Sequence, residues 1–215
     1  MAGTWKFDDS VASDFDREAL LHIPGYHRVV DKSVEIALHA FPDTAKTRVL
    51  DVGSATGYTL SALRNAGFTN FFGVENSEAM IRHSRESERV IKSERFPSAH
   101  GPFDVVIANW TLHFIQKREE YLRDIFTSLT SGGALILSEK VSGSDFTLDR
   151  YYAHKRSLGV SDEEIVRKEA ALEGVLLTLP LEWYLDTLRD IGFVSVEIVD
   201  AHWRFATFLA RKASQ

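Results

Sequence analysis

The chain has 215 residues, a formal net charge of −6 and no cysteine, so disulfide bonds and thiolate metal sites are excluded. The negative charge, without a block of lysines and arginines, argues against direct binding of nucleic acid. No apolar run approaches the ~20 residues of a membrane span, and the absence of an apolar leader makes the cytoplasm the expected location. With 44% hydrophobic and 26% charged residues, the composition predicts one globular domain over residues 1–215.

The first 26 residues carry scattered aromatic side chains among acids, with no period of two. This pattern favours a cap over a site rather than a strand. Tyr26 follows a Pro-Gly pair at the end of the cap, where its ring could cover a ligand or simply pack. From residue 27 to 41 the apolar residues fall on one helical face, and Pro42 ends that predicted helix.

The segment from Val49 to Gly57 is typical of a buried parallel strand that ends in a glycine turn before a helix. At such a turn, backbone N–H groups can approach a small ligand closely. A dinucleotide fingerprint starting at Gly53 would need glycines at two further positions, which hold Ala55 and Tyr58 instead. The turn is therefore either an ordinary strand-to-helix connection or a loop for another nucleoside.

A second strand is predicted over 70–75, and it ends in Glu75, about 20 residues beyond the glycine loop. A carboxylate at this position can accept both hydroxyls of a ribose. Glu75 alone could be a solvated surface acid, but the loop and the acid together favour a nucleoside site. Ser77 is predicted to cap the helix that follows.

The rest of the chain alternates strands and helices. Strands are predicted at 47–52, 70–75, 90–91, 103–108 and 134–138, and helices at 58–66 and 117–129. Such alternation predicts a doubly wound, mostly parallel α/β sheet. Residues 144–190 interrupt it as a helical insertion, and strands at 194–199 and 203–210 are predicted to close a seven-stranded sheet as an edge hairpin.

Two polar residues follow the fourth predicted strand. Asn109 lies where open α/β sheets bind ligands, so it could bond a ligand or else its own backbone. His113 is the candidate catalytic residue because it could act as a general base, although a histidine here could also simply pack at a helix start. No spacing of His, Asp or Glu indicates a metal site.

Several segments, taken together in chain order, resemble one family. Asp51, Gly53, Ala55 and Gly57 are similar to motif I of the class I S-adenosylmethionine-dependent methyltransferases, with alanine at the middle glycine. More specific segments resemble the carboxy-S-adenosylmethionine synthases: Trp5-x-Phe7-Asp8-Asp9, Pro24-Gly25-Tyr26, Glu75-Asn76-Ser77-x-Ala79-Met80, Asn109-x-Thr111-Leu112-x-Phe114, Gly132-Gly133-Ala134-Leu135 and Ser138-Glu139-Lys140.

The resemblance implies a Rossmann-like class I methyltransferase fold and a homodimer with the helical insertion near the partner. It implies S-adenosyl-L-methionine as cofactor, or its demethylated or carboxylated form. Glu75 stands where the family has aspartate, and the Glu94-Arg95 pair stands where it has Asp-Ile beside the adenine. The implied cofactor contacts are Tyr26, Asp51, Gly53, Ser54, Ala55, Gly57, Glu75, Asn76, Glu94, Arg95 and Asn109.

One position departs from the family. The family uses an arginine in the insertion, directly after a lysine, to hold the carboxylate added to the cofactor's methyl carbon. Here Lys168 is followed by Glu169, which reverses the sign of that interaction. No residue on the same predicted helical face is cationic, so only a cation from elsewhere, such as Lys140, Lys155 or Arg156, could replace the arginine.

Three functions remain open from the sequence. We expect methyl transfer from S-adenosylmethionine to a small molecule, on a scaffold like that of the synthases. The first alternative is carboxy-S-adenosylmethionine synthesis with a prephenate-like donor, in support of tRNA wobble-uridine modification. The second alternative is S-adenosylmethionine binding without catalysis, through a dimer.

Overall fold

The computed structural model describes residues 5–214, so the first four residues of the predicted cap lie outside the described residues. The helices are α1 (Asp9–His22), α2 (Tyr26–Ala40), α3 (Tyr58–Asn65), α4 (Glu78–His83), α5 (Arg118–Ser128), α6 (Asp145–Ser157), α7 (Asp162–Leu172) and α8 (Leu181–Ile191). The strands are β1 (Arg48–Val52), β2 (Asn70–Glu75), β3 (Val90–Lys92), β4 (Phe103–Asn109), β5 (Leu129–Lys140), β6 (Ser195–His202) and β7 (Phe205–Arg211).

The seven strands form one sheet in the order β3-β2-β1-β4-β5-β7-β6. Strands β1 to β5 pair in parallel, and β7 is antiparallel to both β5 and β6. The predicted mostly parallel sheet and its closing edge hairpin are thereby confirmed. The strand order reverses between β1 and β4, and ligands of open α/β sheets bind at the carboxyl ends of the strands beside such a reversal.

Both faces of the sheet are covered. Successive residues of β1 and β4 point to opposite faces, as strand geometry requires. Val49 and Ile107 pack in a core with residues of α2 and α3, whereas Leu50 and Val106 pack in a second core with residues of α5 and α8. Burial on both faces explains why these strands read as nearly continuous apolar runs in the sequence.

The predicted N-terminal cap contains a helix. Asp8 starts α1, because its carboxylate accepts hydrogen bonds from the backbone N–H groups of Ser10 and Val11. Val11, Phe15 and Ala19 are spaced by four residues along one side of the helix, a helical period that the scattered aromatics concealed in the sequence. Strand β5 is also longer than predicted, because Leu129 pairs with Phe103 of β4 at one end and Lys140 pairs with Phe205 of β7 at the other.

The helical insertion comprises α6, α7 and α8, as predicted for residues 144–190. Ser161 caps α7 by accepting the N–H of Glu164 at 3.1 Å, and α8 begins directly after Pro180. Within residues 5–214, none of the helices combines the length and apolarity required to cross a bilayer.

Candidate functional site

A cavity of about 270 Å³ opens at the carboxyl ends of the central parallel strands. Its floor is formed by residues that end β1, β2, β4 and β5, including Glu75, Asn109 and Lys140. Helix α1 and the preceding segment cover one side, and α6 and α7 of the insertion close another. The N-terminal segment therefore does cover a site, as the sequence predicted.

The two glycines of the turn after β1 lie so close to neighbouring residues that a side chain at either position would collide with them. Gly53 has φ +69°, and a Cβ placed on it would lie 2.2 Å from Thr111 Oγ1. Gly57 has φ +80° and precedes α3, but it does not line the cavity; a Cβ there would lie 2.6 Å from Ser84 Oγ. Gly53 therefore shapes the cavity wall, while Gly57 turns the chain into the helix.

Ala55 occupies the middle glycine position of the motif and has a left-handed backbone, with φ +44°. A residue with a Cβ pays a strain cost in this region, so something must hold it there. Its N–H donates to Glu75 Oε2 at 3.1 Å, which fixes the loop to the end of β2. Ser54 Oγ, next in the loop, is buried against Gly73 of β2 and has no hydrogen-bond partner among residues 5–214.

Glu75 is 8% exposed and its carboxylate is already held by backbone N–H groups. Oε1 accepts from Asn76 at 2.9 Å and from Ser77 at 2.8 Å, and Oε2 accepts from Ala55. Burial raises the pKa of Glu75, and these three hydrogen bonds oppose that shift. A carboxylate offers about four acceptor sites, so Oε2 keeps one for a ligand hydroxyl in this arrangement.

Asp51 lies beneath the same turn and is 2% exposed. Burial first, and the neighbouring charge of Glu75 second, raise the pKa of Asp51 well above its usual value, against a hydrogen bond from Thr59. Two buried carboxyl groups at one end of a cavity favour either a shared proton or a cationic group of a ligand. The ammonium and sulfonium groups of S-adenosylmethionine have this charge.

An aromatic wall stands beside this end of the cavity. Tyr26 is buried, lines the cavity and stacks on Trp110 with ring centroids 5.1 Å apart, so packing and covering the site are compatible roles. Trp110 has φ +55°, and its N–H donates to Ser138 O at 2.7 Å. The Asn109 amide lines the cavity and lies 3.5 Å from Ser33 Oγ.

His113 also lines the cavity and is 4% exposed. Its Nδ1 lies 3.3 Å from Oε2 of Glu139, which is fully buried, but the two atoms are not aligned as a hydrogen bond. Glu139 Oε1 accepts the N–H of Leu112 at 3.0 Å, and Oε2 accepts the hydroxyl of Tyr184 at 3.0 Å. Arg118 donates to the same tyrosine oxygen at 2.5 Å. An imidazole with a fixed carboxylate behind it is suited to accept a proton at its other nitrogen.

At the insertion end, two lysines approach the carboxylate that replaces the family's arginine. Glu169 Oε1 lies 3.5 Å from Lys140 Nζ and 3.6 Å from Lys155 Nζ. Both ammonium groups lie over the ring of Tyr151, 4.9 and 4.5 Å from its centroid. Of the three cations proposed from the sequence, Arg156 alone turns away, and it pairs with Asp162.

Burial dominates the titration of these lysines. It lowers the pKa of Lys155 to about 8, while the carboxylate of Glu169 opposes the shift. Burial also lowers the pKa of Lys140, again opposed by Glu169. The insertion end of the cavity therefore holds ammonium groups that are incompletely compensated for the loss of water.

A third charged cluster links α1 to α7. Glu18, His22 and Glu164 each bring one potential ligand atom within 4.8 Å of the others, which sequence spacing did not indicate. Lys168 Nζ lies 2.8 Å from Glu18 Oε2, so an ammonium group already faces that carboxylate. Burial, with Lys168 and Lys155 nearby, lowers the pKa of His22 to about 4. We assign the cluster an ion-pairing role between the two helices.

The sequence-predicted cofactor residues are brought together with two exceptions. Tyr26, Asp51, Gly53, Ser54, Ala55, Glu75, Asn76, Glu94 and Asn109 line the cavity. Arg95 is exposed, and neither it nor Gly57 is among the lining residues. Sequence reasoning missed the role of Glu139, although a buried acid inside the apolar run of β5 was a signal that could have pointed to it.

Known proteins match this chain in sequence and in structure. A family model described as a methyltransferase domain matches residues 26–169. A carboxy-S-adenosyl-L-methionine synthase of Nautilia profundicola is 31% identical, over 97% of this chain and 94% of that protein. A protein of the same name from Wolinella succinogenes is 35% identical, over 97% and 93%.

Solved structures agree on the fold. A putative S-adenosyl-L-methionine-dependent methyltransferase from Methanococcus maripaludis covers 100% of this chain and 98% of its own, with a TM-score of 0.65 and 20% identity. A methyltransferase from Thermotoga maritima, described as a possible histamine N-methyltransferase, covers 95% and 97%, with a TM-score of 0.63 and 20% identity. At these identities the likeness concerns the architecture alone.

Proposed function

We propose that this chain, which belongs to the S-adenosylmethionine-dependent methyltransferases and within them to the carboxy-S-adenosyl-L-methionine synthase family, transfers a methyl group to a small molecule. The chain is an S-adenosylmethionine-dependent transferase. The proposal concerns the group that is transferred, the residues that act and the kind of acceptor.

The cofactor would bind along the β1 and β2 side of the cavity. Gly53 and Ser54, whose N–H groups donate to Val74 O, would form the wall beside the methionine end, with Asp51 beneath the ligand's positive charge. Glu75 Oε2 would accept a ribose hydroxyl, and Asn76 and Glu94 line the wall beyond it. A sulfonium carries its own driving force, so the protein mainly has to align the acceptor with the S–CH3 bond.

The observation that carries the proposal is His113 in the cavity wall with Glu139 behind it. Methyl transfer to an O–H or N–H acceptor releases a proton, which a positioned imidazole can take. Glu139 would hold the ring orientation and stabilise the imidazolium, and Tyr184 and Arg118 would in turn hold Glu139. His113 would therefore be the general base.

The charge at the insertion end supports a methyl group rather than a carboxylated one. Lys140 and Lys155 carry two positive charges and Glu169 one negative charge, which leaves one positive charge on these three side chains. That charge balances a single anionic group. An arginine in place of Glu169 would raise the sum by two, enough for a carboxylated cofactor together with an acidic substrate.

Carboxy-S-adenosylmethionine synthesis is the second candidate, favoured by the relatives' names and by the two lysines that flank position 169. In that case the lysines would hold the added carboxylate, and a prephenate-like molecule would be the donor. The product would then serve modification of tRNA wobble uridine.

Mass spectrometry of the ligand released from freshly purified protein separates the two candidates. We expect S-adenosylmethionine or its demethylated product. A bound cofactor heavier by one carboxyl group, or its formation from S-adenosylmethionine and prephenate, would contradict methyl transfer.

A second experiment tests the general base. Methyl-labelled S-adenosylmethionine incubated with a small-molecule extract should yield a labelled product. His113→Ala should lower this transfer by roughly 100-fold or more, and exposed His83→Ala should not. Equal transfer by His113→Ala and the wild type would exclude His113 as the base.

We also propose a cytoplasmic homodimer. Phe146 in α6 and Trp203 in the β6–β7 turn are 66% and 42% exposed and contact each other edge to face. Such a pair would suit burial against a second copy. Light scattering should give the mass of a dimer, and the mass of a monomer at micromolar concentration would contradict this. Cell fractionation would check the location.

A further inference from the structure

We propose that Lys140 and Lys155 form a binding site for one carboxylate of the methyl acceptor, so that the acceptor is a small carboxylic acid with a nucleophilic oxygen or nitrogen. The proposal rests on the proposed function, since it names the class of molecule that receives the methyl group. It adds an anion site to a cavity whose other residues serve the cofactor and the proton.

The two ammonium groups have more donors than the protein satisfies. Each offers three N–H groups, and both lie beside the same oxygen, Glu169 Oε1, at 3.5 and 3.6 Å. Among residues 5–214, neither Nζ has another hydrogen-bond or ion-pair partner. The side chains of Lys140 and Lys155 are 10% and 2% exposed. A ligand carboxylate would supply two further acceptor oxygens where water has limited access.

Neighbouring charges do not cancel the remaining positive charge. Lys168 is balanced by Glu18 at 2.8 Å. Arg204 donates to backbone carbonyls after β5, among them Val141 O at 3.1 Å, and adds a further positive charge. The adjoining wall is the ring of Tyr151, which is buried. An uncompensated charge in such surroundings favours a bound anion.

The position of the pair suits an acceptor rather than the cofactor. Lys140 ends β5, beside Asn109 at the end of β4, while Glu75 ends β2. Strands β2 and β5 are three strand spacings apart in the sheet, which is about 14 Å. The nucleoside and the acidic group can therefore occupy opposite ends of one cavity, with His113 above the middle strands.

The reaction then balances without a further reactant. The acceptor's oxygen or nitrogen forms a bond to the methyl carbon as the S–CH3 bond breaks, and that electron pair stays on sulfur. The proton of the acceptor passes to the ring nitrogen of His113 that does not face Glu139, and from there to solvent. The carboxylate of the acceptor stays on the lysines throughout.

Calorimetry with benzoate and its neutral isostere benzamide tests the site on protein saturated with S-adenosylhomocysteine. We expect benzoate to bind roughly 10-fold or more tightly than benzamide, as for hydrogen bonds to charged groups. Lys155→Met and Lys140→Met should each weaken benzoate binding by a similar factor. Exposed Lys46→Met should leave it unchanged.

Glu169→Gln should change the benzoate affinity in the opposite direction. This variant therefore distinguishes loss of the anion site from misfolding. Removing the carboxylate that faces both lysines leaves two positive charges, so benzoate should bind several-fold more tightly. Damage to the fold cannot produce such a gain. Equal affinities for benzoate and benzamide, or no gain in Glu169→Gln, would overturn the anion site even if S-adenosylhomocysteine binds normally.

Failure of S-adenosylhomocysteine to bind is a separate result, because it contradicts the proposed function. Benzoate titration of the protein alone would then still test the lysine pair.

Discussion

The two ends of the cavity are built in different ways. At the cofactor end, Gly53, Ala55 and Glu75 lie where two neighbouring strands, β1 and β2, end, and backbone N–H groups fix the geometry. At the insertion end, Lys140 and Glu169 come from different elements, and only side chains meet. Geometry that is fixed by backbone groups can stay constant when the sequence changes. An end built from side chains can change the ligand that it binds. The difference explains how one fold serves many acceptors with a single cofactor.

The two ends also differ in charge. Asp51 and Glu75 place carboxyl groups where the cationic parts of S-adenosylmethionine would lie, and both have a raised pKa. Lys140 and Lys155 place positive charge at the other end, and both have a lowered pKa. Among residues 5–214, no cationic side chain pairs with Asp51 or Glu75, whereas a single carboxylate, that of Glu169, faces both lysines. The cavity is therefore complementary to a cationic cofactor beside an acidic acceptor.

The largest effect is expected from Gly53→Ala at the cofactor end. A Cβ would lie 2.2 Å from Thr111 Oγ1 on a backbone with φ +69°, so strain and overpacking add, at about 2–5 kcal/mol of unfolding free energy. Gly159→Ala is the matched control, because its φ is +88° and its Cβ would meet nothing within 4 Å; the expected cost is about 1 kcal/mol. Chemical denaturation measures both, and equal costs would show that the contact with Thr111 is not limiting.

The next effect concerns cofactor affinity. Glu75→Ala removes the acceptor for the ribose and the partner of the Ala55 N–H, so binding of S-adenosylhomocysteine should weaken by about 1–3 kcal/mol. Glu78→Ala, three residues further on, removes an exposed acid that pairs with Lys92; it should change binding by less than about 0.5 kcal/mol. Calorimetry decides, and unchanged affinity in Glu75→Ala would remove this residue from the site.

The cofactor end could be predicted from the sequence better than the insertion end, for a physical reason. Gly53 and Glu75 act through a local turn and a strand end, and hydrophobic periodicity locates both. The parallel sheet was predictable in the same way, since each strand has a local apolar pattern. The order of the strands was not predicted from this pattern and is seen only in the structure.

The insertion end depends on long-range packing that no spacing encodes. The sequence offered Lys140, Lys155 and Arg156 as equal candidates to replace the family's arginine, and only the fold brings the first two to Glu169. Glu139 likewise belongs to a motif of the family resemblance, but the sequence assigns no role to it. Its contact with His113 arises because β5 runs beside β4, whose following turn carries the histidine.

A smaller effect follows from the titration of Lys155. Its pKa of about 8 means that the ammonium charge is lost as the pH rises through 8, so the affinity for benzoate should fall up to roughly 10-fold by pH 9. Stability should move the other way. Between pH 8 and the ordinary lysine pKa of 10.5, the unfolded chain binds more protons than the folded one, so unfolding free energy rises with pH.

The control for this pH profile is Lys155→Met, which should flatten both curves. Lys140 also has a lowered pKa and also faces Glu169, so a residual pH dependence in the variant belongs to it. An affinity for benzoate that rises above pH 8 in the wild type would contradict the assignment of the anion site to these lysines.

The smallest effects are expected from the removal of two helix caps, one at each end of the cavity. Ser77 Oγ accepts the N–H of Met80 at 3.1 Å and donates to Phe7 O at 2.5 Å, whereas Ser161 Oγ accepts the N–H of Glu164 at 3.1 Å. Each serine-to-alanine change should cost about 1 kcal/mol of unfolding free energy. Ser77→Ala should additionally weaken S-adenosylhomocysteine binding about 2- to 5-fold, because it releases the N-terminal segment that covers the cofactor end and removes an ordered partner. If Ser161→Ala weakened cofactor binding equally, the two ends would not be independent, since α7 carries Glu169 of the acceptor end.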